Sequence, residues 1–226
     1  MRSPALIAAA GLLAYGGYVL YTRSRNRQPE QGEGWSGAIQ VPDVLTDAAE
    51  ETAQLLDTLT MGTFSLSRMN TVTANDLKNQ NVQAFLRVIR RGEGTSDQDG
   101  YRRHFGGELF TSYADHPRKV ITKTFAGRKL SSSAAGAYQF LTSTWDETAR
   151  IMGLKDFTPA SQDLGAVGRI AARGALDDVK AGRFDLAIKK VAKEWASMPG
   201  SPYGQPVISL ATARNVYTSA GGAITA

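Results

Sequence analysis

Apolar positions recur at helical intervals in several separate stretches of this chain. Val82, Phe85, Leu86 and Ile89 stand at i, i+3, i+4 and i+7, one stripe of an amphipathic helix that Gly92 is expected to stop. Thr144 with Glu147 has the spacing of a capping box, and Trp145, Ala149 and Met152 form the inward stripe behind it. Ser161 is placed to cap a helix through Arg173, with Leu164, Val167 and Ala171 facing in. Asp185 after Phe184 reads as an N-cap with a staple residue before it. Leu186, Val191 and Trp195 then face the core until Pro199 ends the run. From Tyr101 to Lys129 the spacing changes. Phe110, Tyr113, Val120, Ile121 and Phe125 lie among turn residues and predict short strands or extended loops. The pattern predicts an α+β plan, a small sheet beside a mainly helical lobe.

The first 80 residues follow another logic. Ala5 to Tyr21 is an uncharged run rich in Ala, Gly and Tyr, near the lower length limit for a spanning helix. Arg2 precedes it, and Arg23, Arg25 and Arg27 follow. An uncleaved membrane anchor is preferred to a cleaved signal peptide, for which no tidy small-x-small site exists. It is also preferred to a core helix, which sits oddly beside an arginine cluster. The arginines leave the larger domain on the cytoplasmic side by the positive-inside rule. Thr22 to Gln40, with Pro29, Gly32, Gly34 and Gly37, reads as a flexible linker. Val41 to Thr60 sets Val44, Leu45, Ala48, Leu55, Leu56 and Leu59 against Asp43, Asp47, Glu50, Glu51 and Asp57, an acidic amphipathic helix. Its expected roles are packing on the folded domain, self-association or contact with virion partners, ahead of a bare spacer. Met61 to Lys78, rich in Thr, Ser and Asn, reads as a second connection. The expected division is a transmembrane anchor over 1–24, a linker with the acidic helix over 25–80, and a folded domain over 81–226.

Composition narrows the chemistry. The 226 residues contain no cysteine, which excludes disulfides and thiol nucleophiles. The two histidines, His104 and His116, offer no zinc-ligand spacing, so no metal or other cofactor is expected. The net charge of +5 favours anionic surfaces such as membrane or wall polymer. Its basic residues are scattered rather than striped with aromatics, which argues against nucleic acid.

Glu93, between Gly92 and Gly94, is the strongest candidate for chemistry. At the C-terminal end of a helix the macrodipole field is negative, which disfavours a carboxylate and raises its pKa, as suits a general acid. Downstream come Gly106-Gly107-Glu108-Leu109-Phe110-Thr111, Asp115-His116-Pro117-Arg118-Lys119, Ala135-Gly136-Ala137-Tyr138-Gln139-Phe140 and Gly153-Leu154-Lys155-Asp156-Phe157. Trp195-Ala196-Ser197-Met198-Pro199-Gly200 and Tyr203-Gly204-Gln205 follow. With Glu93-Gly94-Thr95, this ordered set closely resembles the lambda-phage endolysin family, from about Val82 to Gln205.

The resemblance implies a lysozyme-like fold with a substrate cleft between lobes. It also implies lytic transglycosylase action on peptidoglycan glycan strands. Glycosidases usually employ two carboxylates. Of the candidates for a second, Asp97, Asp99, Asp115 and Asp146, none announces itself as nucleophile or base. The family's mechanism uses one: Glu93 protonates the glycosidic oxygen of the MurNAc-GlcNAc β-1,4 bond, then takes the proton of the C6 hydroxyl as a 1,6-anhydro ring closes. The same comparison gives Tyr138, Gln139, Ser133, Tyr113, Tyr203 and Gln205 as substrate-binding residues. Tyr138 and Gln139 also have suitable chemistry, a flat apolar ring and an amide for sugar hydroxyls. Trp145, Trp195, Glu108 and His116 read as structural. The stretches between Glu93 and Gly106 and from Phe125 to Ser133 depart from the family pattern, and the first 80 residues have no counterpart in its soluble member. A hydrolytic muramidase and a non-catalytic virion or wall-binding protein on a lysozyme scaffold stand as alternatives. The expected location is the virion membrane or the host inner membrane, with action on periplasmic peptidoglycan during entry or lysis.

Overall fold

The computed structural model describes residues 64–125, 128–204 and 206–225. Helix α1, Gln80–Glu93, is built on the apolar stripe expected of it. Val82, Phe85, Val88 and Ile89 have no exposed surface, and Asn79 caps the first turn by accepting from the Val82 N–H at 3.2 Å. The helix does not stop at Gly92. It continues through Glu93 and ends at Gly94, whose φ of 70° is the left-handed conformation that closes a helix.

The remaining helices are α2 (Thr142–Met152), α3 (Pro159–Ala172), α4 (Leu176–Ala181), α5 (Phe184–Val191) and α6 (Leu210–Ser219). They enclose α1, which touches α3, α4 and α6. A hairpin of β1 (Ile121–Phe125) and β2 (Arg128–Ser132) stands apart, antiparallel, with Ile121 opposite Ser132. Phe105, Ile121 and Ala134 form a separate small core, with Leu130 and Leu141 packed against it. The sheet beside a helical lobe is therefore present.

Several helix starts differ from expectation, for one reason: the sequence offers more Ser, Thr and Asp than there are caps. α2 begins after Leu141, and Glu147 pairs with Arg169 instead of closing a capping box with Thr144. α3 is capped by Thr158, with Pro159 in the first turn, so Ser161 lies inside the helix. α5 starts at Phe184, which puts Asp185 in its first turn, and it ends at Val191, well before Pro199. Val120 is exposed; the buried strand residue is Ile121.

The boundary of the folded unit also moves. Residues 64–78 are not a loose connection. They form 3-10 turns at Leu66–Thr71 and Asp76–Lys78, bury Met69 completely, and tie Ser65 N–H to the Ala172 carbonyl at 2.8 Å. The expected anchor over 5–21 and the acidic segment 41–60 lie outside the described residues. Among the described residues no helix is long and apolar enough to cross a membrane.

Candidate active site

Glu93 occupies the last helical position of α1 and is 5% exposed. Its Oε1 accepts a hydrogen bond from the Ser197 hydroxyl at 2.6 Å. Burial pushes its pKa up from the ordinary 4.5 to about 7, and the Ser197 donor pulls weakly the other way. The expected direction of the shift is present, but loss of hydration is its main cause rather than the helix field. A carboxyl group titrating near neutrality can give and take a proton at the same pH.

The turn carrying Glu93 is held on three sides. Arg90 donates to the Thr95 carbonyl through Nε and Nη2, at 3.2 and 3.0 Å, while its guanidinium lies 4.4 Å above the Tyr101 ring. Thr95 is fully buried, and its hydroxyl donates to the Ala137 carbonyl. Gly100 passes so close that a Cβ there would stand 1.9 Å from the Thr95 oxygen. Gly92 serves the opposite wall: a Cβ would meet Met198 Cε at 2.4 Å and Ser197 Oγ at 2.5 Å. That missing side chain lets the Trp195–Met198 turn close against the end of α1 and deliver Ser197 to Glu93.

The other expected site residues fall into three groups. Tyr138 is 2% exposed and its hydroxyl donates to Asp163 at 2.6 Å, so its ring faces are enclosed rather than offered to a sugar. Ser133 is also occupied, accepting from the Thr142 N–H at the start of α2 at 3.1 Å. Gln139 has φ of 49°, unusual for a side-chain-bearing residue, and its amide donates to the Gly136 and Arg103 carbonyls at 2.9 and 3.1 Å. Among the described residues its side-chain oxygen has no hydrogen-bond donor. Tyr113 and Tyr203 are half-buried; Tyr113 packs edge-on to Phe110, and the Tyr203 hydroxyl donates to the Lys193 carbonyl. Gln205 lies outside the described residues.

The Ala137–Tyr138 turn is tied to the chain that follows Glu93 and to the segment that carries Ser197. Thr95 bonds Ala137, and Trp195 Nε1 donates to the Tyr138 carbonyl at 3.3 Å. Gln162, fully buried, accepts from Ala137 N–H at 2.8 Å and donates to the carbonyls of Phe157 and Tyr101 at 2.7 and 3.0 Å. The sequence reading missed Gln162 and Ser197. Ser197 lay inside a quoted motif; a hydroxyl between two apolar residues next to Trp195 was the available signal.

The four candidate second carboxylates are all committed to cations. Asp97 pairs with Arg103 at 2.7 Å and Asp99 with Arg102 at 3.5 Å. Asp115 and Asp146 flank Arg118 at 2.8 and 2.7 Å. His116 is buried and structural, bonded through Nε2 to the Phe140 carbonyl at 2.8 Å. Trp145 is core, packed 4.6 Å from Phe157 between ring centres. Among the described residues no three acidic or imidazole side chains converge on a metal position.

Residues 83–224 match the Endolysin family model. The chain belongs to the endolysin family. It is 44% identical over 133 residues to the endolysin of Escherichia phage lambda, covering 56% of this chain and 82% of that protein. It is 40% identical over 155 residues to the endolysin of Escherichia phage P2, covering 63% and 94%. The fold superposes on bacteriophage lambda lysozyme complexed with a chitohexasaccharide with a TM-score of 0.60 and 38% identity, over 65% of this chain and 97% of the other. As an endolysin, this chain is a peptidoglycan-degrading enzyme of bacteriophage type.

In this endolysin Ser197 holds Glu93 and stabilises its ionised form. Ser197→Ala removes that donor and raises the Glu93 pKa further. At neutral pH, wall-degrading activity is expected to fall about tenfold, the value of one hydrogen bond to a charged group. Its pH profile is expected to move to higher pH, measured by turbidity loss of purified cell walls across pH. A purely structural serine would lower activity without moving the profile.

Proposed function

We propose that this endolysin is a lytic transglycosylase that cleaves the MurNAc-GlcNAc β-1,4 bond and leaves a 1,6-anhydromuramic product. The observation that carries this reading is the isolation of Glu93. Among the described residues, burial and the Ser197 hydroxyl are what shift its titration, and the acids nearest in sequence pair with arginines. A hydrolase of the usual two-carboxylate kind needs a second one to attack or to activate water. A transglycosylase needs one group that works twice.

In the proposed reaction the protonated Glu93 gives its proton to the glycosidic oxygen as the C1–O bond breaks. The resulting carboxylate takes the proton of the C6 hydroxyl while that oxygen bonds to C1. The enzyme returns to its starting state and no water is consumed. The attacking group belongs to the same sugar, so its effective concentration is high. The acetamido group of the sugar supports the positive charge at C1. In this reading Gln139, Tyr113, Tyr203 and Gln205 contact the glycan, while Tyr138 and Ser133 shape the turn that presents Gln139. Residues 5–21 anchor the enzyme in the virion membrane or the host inner membrane, from which it acts on periplasmic peptidoglycan during entry or lysis.

Mass spectrometry of muropeptides after digestion tests the reaction. The transglycosylase product is one water lighter than the hydrolytic one. A product ending in a reducing sugar would identify a hydrolytic muramidase instead, and no product would leave a wall-binding protein. Carbonate washing of membranes carrying the full chain tests the anchor; complete release would remove it.

A further inference from the structure

α1 and α6 leave a groove of about 770 Å³ between them, on a side of α1 that does not include Glu93. Leu77, Leu86, Val216 and Ala220 give it an apolar lining. Arg87, Arg90 and Arg91 line the α1 side, Asn215 and Ser219 the α6 side, and Ser96, Tyr101, Tyr138 and Asp163 close the end nearest the Glu93 turn. Arg90 is engaged with the Thr95 turn. Arg87 and Arg91 are exposed and make no ion pair among the described residues. An apolar floor beside unpaired cations suits an amphipathic helix with an acidic face.

The chain itself supplies such a segment. Residues 41–60 carry Asp43, Asp47, Glu50, Glu51 and Asp57, no Lys or Arg, and leucines at near-helical spacing. A 41–60 helix spans about 30 Å, enough to cover α1 lengthwise. Its end is tied close by. Residues 61–63 lead into Phe64, and Ser65 is bonded to Ala172 at the end of α3. From there back to Asp163, which lines the groove, is roughly 14 Å along α3. The link from Thr60 to Phe64 extends over about the same distance. The 3-10 turn containing Leu77 also borders the groove.

We propose that residues 41–60 of this chain dock as a helix in the α1–α6 groove, leucines on Leu77, Leu86 and Val216, and acidic side chains against Arg87 and Arg91. The enzyme then has a docking surface for its own upstream segment, and the lining of that surface reaches Ser96 and Tyr138 but not Glu93. A tether held in that groove has a fixed exit from the fold, whereas a released one swings freely.

The absence of native cysteine makes the test clean. In the full chain in detergent micelles, Leu55→Cys, Leu56→Cys or Leu59→Cys is combined in turn with Asn215→Cys or Ser219→Cys and oxidised. The groove positions are on the surface of α6, so the fold is not challenged. A disulfide within one chain is expected for at least one pair, with little or none when Thr122→Cys on the distant hairpin replaces the groove cysteine. Arg87→Glu with Arg91→Glu is expected to cut the cross-linked yield about tenfold, through several lost and reversed surface ion pairs. Adding Glu50→Lys and Glu51→Lys restores it. Equal reaction at Thr122→Cys, or none at the groove, overturns the proposal. Disulfides between two chains would overturn it too, by assigning the groove to a second copy.

Discussion

Glu93→Gln is expected to reduce lysis of purified sacculi by several orders of magnitude while making the protein more stable above neutral pH. The first effect follows from chemistry. The amide keeps the size of the side chain and its acceptor for Ser197 but has no proton to give. General acid catalysis alone contributes about 100- to 10,000-fold, and loss of the return step adds to that. The second effect follows from linkage. The folded protein holds the Glu93 proton to about pH 7, whereas an unfolded chain releases it near 4.5. The folded state therefore binds more protons between those values, and stability falls as pH rises from 4.5 through 7. Glutamine never ionises and escapes that loss, up to about 3 kcal/mol at pH 7 and above and nothing below pH 4. Denaturant unfolding of both proteins at pH 4 and pH 8 measures the difference. Equal stability at pH 8 would show that Glu93 is not the buried, proton-holding group described, and unchanged lysis would remove it from catalysis.

Glu194→Ala is expected to be the most damaging single change away from the site. Arg169 is 9% exposed and lies between Glu194 at 2.6 Å and Glu147 at 2.8 Å, while Arg173 reaches the other oxygen of Glu194 at 2.8 Å. Removing Glu194 leaves one buried guanidinium with half of its partners and a second with its carboxylate partner gone. Breaking a buried pair by deleting one partner costs about 3–5 kcal/mol, a large share of the stability of an ordinary domain. The melting temperature is expected to drop by roughly 10 °C. Added salt should not mask the difference, because screening acts weakly on buried charges. Glu194→Gln keeps the volume and one of the two acceptor oxygens, and should lose less than the alanine variant. A loss under about 1 kcal/mol for the alanine variant would show that these charges are solvated rather than buried.

The sequence exposed the parts of this fold that depend on neighbours a few residues away. The Val82–Phe85–Leu86–Ile89 stripe identified α1 because a 3.6-residue period leaves one face for the core. Glu93 was visible because it stands between two glycines at the end of that stripe. Helix starts were less legible. Thr158 and Ser161 are equally good caps by residue type, and what separates them is Pro159, which fits only in the first turn. Gly92 was misread because a glycine inside a helix is indistinguishable from one that stops it, until the chain that needs its missing side chain is in place. That chain is Ser197 and Met198. The Glu93–Ser197 bond joins residues 104 apart in sequence, and no local pattern encodes such a meeting. Tyr138 shows the same limit: an aromatic beside an amide in a glycine-rich turn suits a sugar platform equally well before Asp163 is seen to hold its hydroxyl.

Phe64 and Ser65 are where the preceding residues enter the fold, and their attachments decide where a pull would be felt. The Phe64 ring faces the guanidiniums of Arg169 and Arg173 at 5.2 and 4.6 Å, and Ser65 is bonded to Ala172. Tension along the upstream chain is therefore delivered to the end of α3 and its buried charges. The loop after Glu93 is joined to the same helix, because Thr95 bonds Ala137 and Ala137 donates to Gln162 of α3. A load applied upstream of Phe64 is taken first by α3 and passes on toward the Glu93 turn through Gln162.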